Sequence, residues 1–77
     1  MARAHYYVVK HEGQWKIKHN DMHYGPYVTQ KEAIRVAVDA AHTSGKNGHD
    51  AQVLVQGEEL QFRTEWTYGH DPYPPPG

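Results

Sequence analysis

The sequence predicts an α+β fold: one helix on one face of an antiparallel sheet of about five strands, with a proline-rich C-terminal tail. Three observations predict it. Thr29-Gln30-Lys31-Glu32 opens the one clearly amphipathic segment. Segments rich in valine and aromatics, broken by glycine turns, flank it on both sides. A chain of 77 residues without cysteine has room for one small core and cannot brace it with disulfides.

The elements follow in order. His5 to Lys10 is rich in tyrosine and valine, which suit strands. Glu12-Gly13 marks a turn, and Trp15-Lys16-Ile17-Lys18 alternates apolar with charged residues. A two-residue loop would pair Lys10 with Trp15 and bring a charge to the core face. A three-residue loop with left-handed Gly13 pairs Val9 with Trp15 and Tyr7 with Ile17, and keeps every charge outside. The expected core face is then Tyr7, Val9, Trp15 and Ile17. Tyr6, Val8, Lys10, Lys16 and Lys18 face the other way.

Asn20 to Met22 reads as a polar turn and Tyr24 to Val28 as a short third strand. Pro26 has no N–H to donate, so that strand belongs at an edge or is irregular. Thr29 at N-cap with Glu32 at N3 is a capping box, which satisfies two backbone N–H groups at a helix start. The helix is expected from about Gln30 to Thr43. Its inner stripe is Ala33, Ile34, Ala37, Val38 and Ala41, and three alanines let it lie close to a sheet. Arg35 and Asp39 stand at ion-pair spacing, and Gly45 is expected to stop the helix. A polar loop from Lys46 to Asp50 leads to a strand from Ala51 to Gln56. Gly57-Glu58 is expected to turn it into a returning strand from Glu59 to Trp66, pairing Val55 with Leu60 and Val53 with Phe62. Leu54 points away from this second half of the core. The whole chain, 1–77, reads as one domain, with its core at about 5–67 and the tail at 68–77.

The first strand Tyr7-Val8-Val9, the turn Gly13-Gln14-Trp15, Thr29 with Glu32-Ala33, and above all the ending Tyr68-Gly69-His70-Asp71-Pro72-Tyr73-Pro74-Pro75-Pro76-Gly77 resemble a small bacterial family. It is the domain-of-unknown-function family numbered 2188. The resemblance implies the fold and no activity. Pro76 stands where that family is expected to carry a lysine, and the loop from Gly45 to Asp50 is longer. The first three strands and the helix are also similar to the plant AP-two DNA-binding domain and the arm-binding domain of phage integrases. That likeness implies a sheet face that enters DNA.

Composition narrows the function. Eight basic and nine acidic residues give a net charge of -1, so the chain as a whole exerts no strong pull on nucleic acid or anionic membrane. The average hides an asymmetry: the chain up to Arg35 carries net +3 and the rest net -4. No apolar run approaches a membrane span, and Met1 to His5 lacks the apolar stretch of a signal peptide. A soluble cytoplasmic protein is expected.

Four constellations carry chemistry. Arg3, Lys10, Lys16 and Lys18, with Tyr6 beside them on the expected register, make a candidate nucleic-acid surface. Tyr6, Val8 and Leu54 on the open sheet face make a candidate protein interface, either with another protein or in a homodimer. His5 and His19, expected to face each other across the first hairpin, are weak candidates for a metal. Stable sites take three or four ligands, and no HxH or HExxH motif is present. Ser44 is the single serine, and with no cysteine a nucleophile–base pair is not expected. The sequence reading is therefore a non-enzymatic binding or accessory domain acting through its open sheet face, with nucleic-acid binding as the alternative. It expects no cofactor and no small-molecule substrate. The aromatic residues among the tail prolines are expected to dock over the sheet and cover Trp66 or Trp15, with a polyproline ligand for another protein as the alternative.

Overall fold

The computed structural model describes residues 3–57 and 61–74. Three strands, β1 (Arg3–His11), β2 (Gln14–His19) and β3 (Met22–Tyr27), precede the helix α1 (Gln30–Lys46). Strands β4 (Asp50–Gln56) and β5 (Phe62–Thr67) follow it. All five strands form one sheet in the order β3-β2-β1-β4-β5.

The sheet is mixed rather than antiparallel, because β1 and β4 run parallel at its centre. The helix is the reason. Its 17 residues carry the chain back about 25 Å, the length of the sheet. The strand after it therefore starts from the end where β3 started, and β3 already runs with β1.

The first hairpin takes the two-residue loop. Lys10 pairs with Trp15, Val8 with Ile17 and Tyr7 with Lys18. Glu12 and Gly13 both have positive φ, 54° and 78°, as the tight turn that matches strand twist requires. This overturns the expected register and exchanges the two faces of β1, while Trp15 and Ile17 of β2 stay on the core side as expected. Val8, at 0% exposure, and Tyr6, at 8%, are core residues, while Tyr7 and Val9 lie on the open face. The charge that argued against this pairing is harmless. Lys10 sits at the exposed end of β1, with its ammonium 5.9 Å from the centre of the Trp15 ring.

The helix begins as expected. The Thr29 side chain accepts from the Glu32 N–H at 3.1 Å. Ala33, Ala37 and Ala41 are fully buried, and Val38 is almost so. They pack in one cluster with Tyr6, Val8, Ile17, Ala51, Val53, Val55 and Trp66. Arg35 and Asp39 form no ion pair among the described residues, and Asp39 accepts from the Tyr73 hydroxyl instead. No helix among the described residues is long and apolar enough to cross a membrane.

Gly45 does not stop the helix. It lies inside the last turn, is buried, and the Tyr68 ring rests where its Cβ would be. Its role is close approach rather than left-handed geometry. The second hairpin also differs. Val53 pairs with Trp66, Val55 with Arg63 and Gln56 with Phe62, and the register shifts between Val53 and Leu54. Phe62 therefore lies on the open face, not in the core. Glu58, Glu59 and Leu60 lie outside the described residues.

The tail docks on the helix side of the molecule, not on the open sheet face. The Trp66 indole donates to the Pro72 carbonyl at 2.9 Å, and the Thr67 N–H donates to the Asp71 carboxylate at 2.8 Å. Tyr73 stacks on His42 of the helix with ring centres 3.7 Å apart. Trp66 is thus 2% exposed although β5 is an edge strand.

Two measurements check this packing. Gly45→Ala normally favours a helix by about 1 kcal/mol. Here overlap with Tyr68 is expected to destabilise the fold by about 1–3 kcal/mol, read as a lower Tm. Adding Tyr68→Ala is expected to make the alanine at position 45 neutral or favourable. Separately, the Tyr73 phenol is raised above the usual 10.0, first by its hydrogen bond to the Asp39 carboxylate, then by desolvation, then by the charge of that carboxylate. A raised folded pKa means that the contact stabilises the fold below pH 10 and is lost as pH rises through the Tyr73 pKa. Ultraviolet titration is expected to show Tyr73 ionising late, and Asp39→Asn is expected to move it back toward the ordinary range.

Candidate ligand-binding face

Side chains alternate along a strand, so the core pairing also fixes what the open face presents. One row crosses the sheet as His23, Lys18, Tyr7, Leu54 and Thr64, each paired with the next. Five strands at about 4.8 Å spacing make that row about 19 Å wide. On one side of it, Lys16 pairs with Val9, and Gln56 pairs with Phe62. On the other, His5 pairs with Gln52 and Gln52 with Thr67, and beyond them Arg3 stands beside Asp50.

The middle of this face is aromatic and apolar. The Tyr7 and Phe62 rings meet edge to face at 5.2 Å, and His5 lies 6.1 Å from Tyr7. Phe62 is 45% exposed, while Tyr7, Val9 and Leu54 are half-buried. The β2–β3 side is cationic. Lys16 and Lys18 stand there, and His11 stacks on His23 at 5.1 Å. Glu12 lies at the rim, 3.6 Å from His11. At the far end Arg3, His5, Asp50, Gln52, Thr67 and His70 are among the residues lining a polar cleft of about 220 Å³.

The predicted site residues divide between the two faces. Lys16, Lys18 and Leu54 lie on the open face, where the sequence reading put them, and Arg3, which that reading placed only near them in sequence, lies there too. Lys10 does not, because it faces the helix side with Trp15. Tyr6 and Val8 are buried under the helix and offer no interface. His5 and His19 are not opposed. His19 stacks on Tyr6 at 4.1 Å on the helix side, and its Nδ1 bonds the His5 backbone carbonyl at 3.1 Å. A carbonyl only accepts, so Nδ1 carries the proton and Nε2 accepts from the Asn20 amide at 3.2 Å. No group of three potential metal ligands occurs among the described residues. Ser44 shares a hydrogen bond of 2.7 Å with the Tyr6 hydroxyl.

Tyr7, Val9 and Phe62 were missed as surface residues. The two-residue loop would have found the first two, since one change of register moves a whole strand's side chains to the other face.

A family model described as "Uncharacterized protein conserved in bacteria (DUF2188)" matches residues 6–68. The chain belongs to this family. The DUF2188 match runs from Tyr6 in β1 to Tyr68, so it takes in β2 to β5, all of β1 but its first three residues, and the Tyr68 ring on Gly45. No curated protein and no solved structure matches the chain.

Proposed function

We propose that this DUF2188 protein is a binding module whose open sheet face holds single-stranded nucleic acid. One observation carries the reading. The face gathers Arg3, Lys16 and Lys18 around the exposed Phe62 ring and the half-buried Tyr7 ring, with Asp50 beside Arg3 and Glu12 at the rim beside His11. Lysines beside a strip of rings suit a phosphate backbone whose bases stack. The Phe62 ring is open to solvent and needs an unpaired base to meet its face, which favours a single strand over a duplex. The charge average of the whole chain does not oppose this, because the acidic residues Glu32, Asp39 and Glu65 lie on α1 or on the helix side of β5.

The test is fluorescence anisotropy with a labelled oligonucleotide of about 12 nucleotides at about 50 mM salt. The wild-type protein is expected to bind, and binding is expected to fall steeply with added salt. Lys16→Glu with Lys18→Glu is expected to weaken binding at least about tenfold, while Lys10→Glu leaves it nearly unchanged. Phe62→Ala is expected to cost about 1–3 kcal/mol of binding. No binding at low salt, or equal loss from the Lys10 variant, would contradict the reading.

A second reading keeps protein interaction but moves it. Four large apolar side chains, Met22, Tyr24, Val28 and Val36, are exposed on β3, on its junction with α1 and on α1 itself. Tyr24 and Val36 line an apolar groove of about 290 Å³ between those elements. Self-association across this flank is expected to show in sedimentation velocity as a concentration-dependent dimer that Tyr24→Glu abolishes. A monomer at high concentration removes it.

A further inference from the structure

The other flank of the helix holds a groove that the open-face reading does not use. It runs between α1 and β5, and its floor is Ile34, Val38 and Trp66. Pro74 of the tail lines it too, and about 460 Å³ of the groove is unfilled. The chain itself shows what chemistry this surface accepts. The Trp66 indole donates to a carbonyl at Pro72, and Tyr73 lies flat on His42 with its hydroxyl donating to Asp39 at 2.8 Å. An indole donor and a stacked ring holding a proline-rich segment is the chemistry by which aromatic grooves capture proline-rich peptides.

We propose that this flank is a receptor groove for a proline-rich segment of a partner protein, and that the chain's own tail occupies part of it as a tethered competitor. Two features argue for a foreign segment over the tail of a second copy. A tethered tail has an effective concentration in the millimolar range, so an identical untethered tail loses to it. A foreign segment with acidic residues after its prolines offers the groove carboxylate side chains, which Pro75-Pro76-Gly77 of this chain do not carry. The charged lining of the groove is Lys31, Arg35, Asp39, Arg63 and Glu65; Arg63 is held by Glu65 at 3.2 Å and Asp39 accepts from Tyr73, whereas Lys31 and Arg35 form no ion pair among the described residues. The matching ligand therefore has a proline–tyrosine–proline run followed by acidic residues.

The experiment is a ¹H–¹⁵N titration of the full chain that follows the two indole N–H signals. Trp66 reports the groove. Trp15, three strands away, is the internal reference. The probe is the synthetic peptide Asp-Pro-Tyr-Pro-Pro-Glu-Glu, with Asp-Pro-Tyr-Pro-Pro-Gln-Gln as its neutral control. The proposal expects a saturable shift of Trp66 alone. Affinity is expected to be at least about tenfold tighter in the tail-released variant Asp71→Ala with Tyr73→Ala, because the tethered competitor is weakened. Lys31→Ala with Arg35→Ala is expected to remove the preference for the acidic peptide. If the released variant does not fold, the wild-type titration decides. No Trp66 shift by about 5 mM peptide, or equal shifts of both indoles, overturns the proposal. Loss of oligonucleotide binding would leave this result untouched, since the two surfaces lie on opposite sides of the sheet.

Discussion

Once β4 lies parallel to β1, every other placement in the molecule follows. The two strands form the centre of the sheet, and their inward side chains, Tyr6, Val8, Val53 and Val55, make a floor. Only a helix with a flat, small-residue stripe can lie on that floor at close range. Ala33, Ala37 and Ala41 supply it. The same pairing sends Tyr7, Val9 and Leu54 outward, and the lysines of β2 join them by cross-strand register. The core and the candidate binding face are two consequences of one alternation.

A sheet this small leaves its edges poorly covered. On the β5 side the tail closes the gap over Trp66 through one indole hydrogen bond, one carboxylate cap and one stacked ring. On the β3 side nothing comparable lies over Tyr24 and Val36 among the described residues. In a chain without cysteine, the tail does part of the work that a disulfide does elsewhere. Gly45 belongs to the same closure, because any larger residue would lift Tyr68 from the helix.

The elements were legible in the sequence, and their pairing was not. The capping box, the alanine stripe and the edge position of β3 all follow from local chemistry, which a single segment carries in full. Register depends on a comparison between segments. Placing all charges outside failed at Lys10 because the rule ignores where along the strand the helix stops covering it. Gly45 looked like a helix stop because a glycine required by a ring above it has the same letter as one required by its own backbone. The second hairpin looked shorter than it is, and so Phe62 was assigned to the wrong face. Of the candidate face, Lys16, Lys18 and Leu54 were placed on the right side by alternation within a strand, Arg3 was noted only for its nearness in sequence, and the rings between them were lost to the register.

The assignment of faces is the claim on which the rest stands, and side-chain NOEs measure it directly. The structure predicts contacts from the Val8 methyls to the helix alanines, and from the Tyr7 ring to Leu54 and Phe62. Contacts from Val9 to Ala37 or Ala41, with Val8 exposed to a paramagnetic co-solvent, would mean that the faces are exchanged and would contradict both the core and the binding surface described.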